Sequence, residues 1–411
     1  MILYRIAISL YFAAIRFAAF FRKDAARWVE GRRQWREGAL QLNPERKKSI
    51  WIHVSSLGEF EQGRPLIERI RQQYPGRFIW LSFFSPSGYE VRKNYPGADA
   101  VSYFPSDRLQ DVRDFLEMVN PSLAIFVKYD FWFESLHQLR LRNIPFVFVS
   151  MHLHPRSYLR KYWAKPLVRI LRSGRHFFVQ NEETRLILDA LGISNATVCG
   201  DTRLDRVLEI VGIPLEDPAI EDFCSRGKIL VAVSVWTEDL RLLSEVLASG
   251  AVEGWKMIVA PHQTDAMHVG EVSKVLSVDC ELHSSYHLSS RAGVMIVDSV
   301  GKLAAIYARA DLCYVGGGFG RSIHNILEPA AHLKPVCFGP AHAKFPEAAE
   351  FIQSGFGFEV NHFRDLIALM KKAEDRDWSI GTSTSARSYM NMRKGATDLI
   401  LEKLAEQGLI A

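Results

Sequence analysis

Three groups of residues in the 411-residue chain combine side-chain type and spacing in a way that suits chemistry at a loop. The first is Ser55-Ser56-Leu57-Gly58-Glu59, which follows the apolar run WIHV (51–54) and opens a helical pattern containing PLIERI. A carboxylate there stands beside the free N–H groups of a helix N-terminus. Glu59 is thus placed like a general base, and equally like a first-turn residue that the helix dipole favours. The second is the turn Val315-Gly316-Gly317-Gly318-Phe319-Gly320, followed by Ser322, His324, Asn325, Ile326, Leu327 and Glu328. Glycines let a ligand approach the backbone, a helix starting near Asn325 offers N–H groups to a phosphate, and Glu328 can accept ribose hydroxyls. A plain tight turn has the same pattern. The third is a pair of loops, Pro261-His262-Gln263 and Asp298-Ser299-Val300-Gly301-Lys302-Leu303, each after an apolar run and able to line a nucleotide.

Other chemistries lack their residues. Neither series of runs opens on a GxGxxG fingerprint and no P-loop lysine is present, so NAD and ATP are poor fits. The 13 histidines show no metal-ligand spacing, and the one D-x-D, Asp375-Arg376-Asp377, lies in a late helical stretch; no metal and no cofactor are expected. Five scattered cysteines without a C-x-x-C pair fit a reducing compartment.

The elements that must position these loops form two series. Short β-branched or aromatic runs at 51–54, 78–84, 100–104, 123–127, 146–150 and 176–179 alternate with helical patterns. After a stretch around 207–227 containing IPLEDPAIED, a second series runs through 229–234, 257–260, 294–297, 312–316 and 335–338. This predicts an α/β protein of two Rossmann-like domains facing across a cleft, with ligands at the carboxyl ends of the strands. The expected boundaries are 1–36 for an N-terminal helix with a basic flank and 37–206 for the first domain. A linker over 207–227 and a second domain over 228–411, closed by a C-terminal helix, complete the chain.

Charge is uneven. Residues 1–48 hold eleven Lys/Arg against four Asp/Glu, a net +7 within a chain of net +5, so the remainder carries −2. No nucleic-acid motif accompanies the basic end, which points instead to an anionic membrane. In MILYRIAISLYFAAIRFAAFF, residues Arg5, Ser9, Arg16, Lys23 and Arg27 fall on one stripe of an otherwise apolar helix, the pattern of a helix lying in the interface. Trp28, Arg32, Arg33, Trp35 and Arg36 are then expected at headgroup level on the cytoplasmic face. A short tilted span, a cleaved signal peptide and a core helix packed on the protein itself are the alternatives.

The chain resembles the bacterial 3-deoxy-D-manno-octulosonic acid (Kdo) transferases. HVSSLGE ending at Glu59 resembles H-x-V-S-x-G-E, and SIHNILEPAAHLKPVCFGP (322–340) resembles H-N-x-L-E-x-A-A-x-x-x-P-V-x-x-G-P, with QNEE (180–183), GDTRLD (200–205) and GKL (301–303) in support. The resemblance implies the glycosyltransferase B fold and an inverting transfer of Kdo from CMP-Kdo to the lipid A precursor at the cytoplasmic face of the inner membrane, without an obligate protein partner. It implies Glu59 as general base and Arg203 at the leaving phosphate. It further implies Pro261, His262, Val300, Gly301, Lys302, Leu303, Asn325, Ile326, Leu327 and Glu328 around CMP. Lys128-Tyr129-Asp130-Phe131-Trp132 stands where the family has E-T-E-L-W, so a base replaces one acid while Asp130 keeps the second; His262 replaces an Arg. Two rival readings are a glycosyltransferase using a UDP-sugar on a lipid-linked acceptor and a catalytically idle membrane-associated binding protein.

Overall fold

The computed structural model describes residues 2–33, 35–212, 216–251, 253–288, 290–320 and 322–410. The chain divides into two compact units, Met1–Asp205 with Arg393–Ala411, and Arg206–Met392.

The first unit is built on a parallel sheet of β1 (Ser49–Val54), β2 (Phe78–Phe83), β3 (Ala100–Tyr103), β4 (Pro121–Val127), β5 (Phe146–Met151), β6 (His176–Val179) and β7 (Ala196–Val198). Their spatial order is β3-β2-β1-β4-β5-β6-β7. Chain order reverses between β1 and β4, the place where doubly wound sheets bind ligands. Alternation of side chains along β1 explains its burial on both faces. Ile50, Ile52 and Val54 meet Phe60, Leu66, Ile67 and Ile70 of the helix Leu57–Gln73, while Trp51 packs on the opposite face with Trp80, Phe115 and Phe126.

The second unit repeats the plan with β8 (Lys228–Val235), β9 (Trp255–Pro261), β10 (Cys280–Leu282), β11 (Val294–Ile296), β12 (Leu312–Val315), β13 (Val336–Phe338) and β14 (Gly357–Glu359). Their order is β10-β11-β9-β8-β12-β13-β14, again all parallel, with the reversal between β8 and β12.

Three boundaries differ from the sequence expectation. The helix Ala396–Glu406 does not close the second domain; its Ile400, Leu401 and Leu404 are buried against the β1 face of the first unit. Asp205 fixes the return by accepting hydrogen bonds from the Gly395 and Thr397 N–H groups at 2.6 and 2.7 Å. The expected linker is largely helical, since Thr202–Val211 and Pro218–Cys224 are helices, the latter capped by Asp217; residues 213–215 lie outside the described residues.

The N-terminal segment is the third difference. No single described helix is long and apolar enough to cross a membrane, and the first two helices, which pass that test only together, meet at a bend of 118°. The helix Ile2–Ala18 is docked through what had read as its polar stripe: Arg5 pairs with the buried Glu134 at 3.0 Å, and Arg108 donates to the Ser9 carbonyl at 3.2 Å. Tyr4 donates to the buried Asp107 at 2.6 Å. Trp28 and Arg32 are buried, and Arg36 is tied to Asp111 and Asp114, so these residues hold the segment to the first unit rather than anchoring it at headgroup level. The reason is pairing: buried carboxylates on the globular body offer partners that an amphipathic-helix reading of the segment alone does not contain.

Candidate active site

The β1–α turn is shaped by a capping box. Ser56 is the N-cap of Leu57–Gln73, its hydroxyl accepting the Glu59 N–H, while the Glu59 carboxylate accepts the N–H groups of Ser55 (2.6 Å) and Ser56 (3.2 Å). Both sequence alternatives for Glu59 therefore meet in one side chain. It caps the helix, and it lies against a second carboxyl.

That carboxyl is Asp130, carried across the β1–β4 switch by a sharp turn in which Lys128 adopts φ +62°. A left-handed lysine is uncommon and redirects the chain immediately after β4. Asp130 lies close enough to Glu59 for each to perturb the other, and the Ser55 hydroxyl donates to Asp130 Oδ2 at 2.5 Å. Burial, then the adjacent Glu59 charge, pushes Asp130 up to about 8. Burial also raises Glu59, against the Ser55 N–H and the Lys128 cation. Burial and mutual repulsion therefore both oppose full ionisation of the pair at neutral pH.

His53 lies 3.6 Å from Asp130 and does not neutralise it. Its Nε2 accepts the Trp132 indole N–H at 3.0 Å, which leaves Nδ1 to face the Ser82 hydroxyl at 2.9 Å. Burial and then Arg32 hold it down at about 3, so the ring is neutral. His53 and Trp132 thus form a dry wall behind the pair.

Arg203 joins the same helix indirectly. Its guanidinium pairs with Asp201 at 2.6 Å, and Asp201 accepts from Gln62, which lies on Leu57–Gln73. Burial opposes the Asp201 charge, but Arg203 outweighs it and keeps it ionised. The first unit thus brings Glu59, Lys128 and Asp130 together and ties Arg203 to their supporting helix.

The second unit gathers its candidates less completely. Pro261 ends β9, and the His262 ring stacks on Trp236 at 4.5 Å and approaches His324 at 4.6 Å. Trp236 donates to His324 Nε2 at 2.9 Å. Burial lowers both histidines, so neither adds charge at neutral pH. A cavity of about 590 Å³ lies beside them, lined by Trp236, Asp239, Gly317, His324, Lys344 and Phe345. Trp236 and Asp239 were missed in the sequence, where no motif surrounds them. Asp239 is buried and accepts from the Tyr314 hydroxyl (2.6 Å), the Gly317 N–H and the Trp236 N–H (each 2.9 Å), which fixes the glycine turn.

The helix after Asn325 starts two residues later than expected and is short, Leu327–Ala331, with the Asn325 side chain accepting the Leu327 N–H at 3.0 Å. Asn325 also donates to Glu328 at 3.0 Å, and Ile326 is buried. Gly316 and Gly318 are required by backbone: a Cβ would lie 2.6 Å from the Ser234 carbonyl at the first and 2.5 Å from Gly339 at the second. The Lys302 ammonium pairs with Asp217 at 2.8 Å. Burial opposes the Asp217 charge, yet Lys302 and the Ile220 N–H hold that carboxyl at about 2. Val300 is exposed, Gly301 turns with φ +85°, and Leu303 begins the helix Leu303–Arg309. Asp375 of the D-x-D caps the helix that follows it, accepting the Asp377 N–H at 2.7 Å.

Residues 27–206 match the sequence model of the 3-deoxy-D-manno-octulosonic-acid transferase (kdotransferase) N-terminal family. That stretch of the chain is similar to the Kdo transferases. The chain is 25% identical over 352 residues to the 3-deoxy-D-manno-octulosonic acid transferase of Haemophilus influenzae, covering 80% of this chain and 81% of that protein. With the transferase of Aquifex aeolicus it shares 24% over 326 residues, covering 78% and 84%. A bifunctional glycosyltransferase/methyltransferase of Fusobacterium nucleatum is 24% identical over 343 residues, and this chain spans about half of its length (52%). Among solved structures, UDP-GlcNAc 2-epimerase of Neisseria meningitidis superposes with a TM-score of 0.60 at 14% identity, over 88% of this chain and 100% of that one. A glycosyltransferase of Rickettsia africae gives 0.58 at 13%, over 88% and 98%. These similarities establish the two-Rossmann fold that Kdo transferases are read to share.

The carboxyl pair makes a stability prediction. Asp130 titrates at about 8 in the fold against 3.8 ordinarily, so between those values the native state holds a proton that the unfolded chain has released. Stability therefore falls as pH rises through that window. Asp130→Asn removes the dependence: its thermal midpoint should equal wild type near pH 4 and exceed it above pH 8. Parallel melting curves of the two proteins across pH would show otherwise if Asp130 ionises freely.

Proposed function

We propose that the protein is an inverting glycosyltransferase that moves Kdo from CMP-Kdo onto the lipid A precursor at an anionic membrane, with Glu59 as general base. The observation that carries this is the buried Glu59–Asp130 pair with its raised carboxyl pKa values, set at the switch point of a unit that matches the Kdo transferase family model. The acceptor hydroxyl oxygen attacks the anomeric carbon, the bond from that carbon to the phosphate oxygen breaks, CMP leaves, and the hydroxyl proton passes to Glu59. Burial beside Asp130 raises the proton affinity of Glu59, and Lys128 steadies the carboxylate charge. Arg203 offsets charge on the departing phosphate. No metal or cofactor has a role in this scheme, and turnover should persist in chelator.

The membrane reading rests on the outer side of the N-terminal helix. Opposite its docked face, Leu10 (65%), Phe17 (68%) and then Phe20 (83%) and Phe21 (77%) are exposed. A docked amphipathic helix with its apolar side outward suits burial in an interface.

The test incubates the purified protein with CMP-Kdo made in situ and lipid A precursor, and weighs the lipid. A gain of one or more Kdo masses is expected; a gain only with UDP-sugars, or none, would sink the assignment. For the donor, Glu328→Ala should weaken CMP binding, read by calorimetry, while the circular dichroism spectrum stays the same. Unchanged affinity would remove Glu328 from the ribose site.

A further inference from the structure

From Ser135 to Asn181 the chain has nine Lys or Arg residues and no Asp or Glu. Within this stretch, between β5 and the helix Lys165–Leu171, lie two single turns of 3-10 helix, Tyr158–Arg160 and Tyr162–Ala164. Leu159 and Ala164 point into the core, which turns their neighbours outward: Tyr162 is 81% and Trp163 68% exposed. The outward rings are held by one another and by a cation. Tyr158 stacks on Trp163 at 5.4 Å with 2° between planes, and the Lys165 ammonium sits 4.3 Å from the Tyr162 ring centre. Arg156, Arg160, Lys161 and Lys165 are exposed around them, with no acid in the stretch to neutralise them.

Single exposed apolar residues are ordinary. Aromatic rings fixed outward within a cationic stretch are what a headgroup layer selects, because the rings suit its apolar–polar boundary and the cations its phosphates. The placement is equally specific. Tyr158 lies 6.5 Å from Phe131, next to Asp130, and Tyr4 of the N-terminal helix lies 4.9 Å from Phe133. The segment 130–133 is thus flanked by this loop and by the helix.

We infer that the 155–165 loop is a second membrane seat, in which Tyr162 and Trp163 enter the headgroup layer of an anionic bilayer while Arg156, Arg160, Lys161 and Lys165 meet lipid phosphates. The protein then rests on the membrane at two places astride the carboxyl pair. The inference adds to the proposed function a surface that the sequence reading did not contain, and it does not depend on which sugar is transferred.

The test uses the full chain and sedimentation with vesicles of phosphatidylcholine alone or with phosphatidylglycerol. Lys161→Gln/Lys165→Gln should lower partition onto the anionic vesicles by about 25-fold, roughly fivefold per charge, and leave partition onto neutral vesicles unchanged. Tyr162→Ser/Trp163→Ser should lower partition onto both by about tenfold. Brominated lipid should quench indole fluorescence in wild type, and Trp163→Phe should remove part of that quenching. Wild-type partition in either double variant, or quenching unaltered by Trp163→Phe, would overturn the seat. So would a loop variant that binds vesicles normally but loses turnover on detergent-dispersed acceptor, because the loop would then be an acceptor site. Failure of Kdo transfer with these vesicle results intact would count against the function and not against the seat.

Discussion

Glu59→Gln should lower turnover by about 10² to 10⁴ while CMP affinity and the thermal midpoint stay close to wild type. Glutamine retains the carbonyl oxygen that accepts the Ser55 and Ser56 N–H groups, so the capping box survives. What is lost is the carboxylate placed to take the proton. Burial, the largest cause of the raised Asp130 value, persists in the variant, although the Glu59 charge that adds to it is gone. A purely structural Glu59 gives the opposite pattern, a stability loss of about 0.5 to 2 kcal/mol with the rate nearly intact. Single-turnover rate and thermal midpoint on one preparation separate the two, and a near-normal rate removes Glu59 from catalysis.

Arg32→Leu should be the most damaging single change to stability, costing about 3 to 5 kcal/mol. The buried guanidinium donates to the carbonyls of Phe104 (2.8 Å), Phe84 (2.6 Å) and Trp28 (3.2 Å), and it stacks 3.9 Å from the Trp28 ring. Burial lowers its pKa to about 9, so it still carries its charge at neutral pH. Leucine leaves those carbonyls without their donor and loosens the N-terminal segment from the ends of β2 and β3. The expected fall in thermal midpoint is about 10 °C, at roughly 2 to 4 °C per kcal/mol. Arg32→Lys should not restore it, because one ammonium cannot span three carbonyls. A wild-type midpoint in Arg32→Leu would mean that the segment is not seated as described. By the same contacts, a truncation that removes residues 1–36 cuts into the core.

The two sheets were legible because their central strands are continuous apolar runs such as ILVAVS and LAIFV, which parallel strands covered on both sides require. β7, β10 and β14 were not, since each is a three-residue edge strand without such a run. The apolar character of the first helix was plain, but its sense was reversed. Arg5 and Ser9 could be assigned to the protein side only by knowing that Glu134 and Arg108 lie opposite, a pairing of residues about one hundred or more apart. Glu59 was visible from its place after an apolar run, and its partner Asp130 from the family pattern. The raised pKa values of the two carboxyls depend on burial, which no spacing encodes. The ion pair of Lys302 was hidden for a similar reason, its partner Asp217 lying 85 residues away.

The return of Ala396–Glu406 to the first unit makes the second unit an excursion within the first. During synthesis, Arg206–Met392 can therefore complete its sheet while the half that bears Glu59 still waits for its last helix. Until Ile400, Leu401 and Leu404 emerge, the apolar cluster they share with Ile67 and Ile70 lacks that cover and stays open to chaperones. A premature stop codon shortly after Met392 would thus spare the later-made unit and cripple the earlier one.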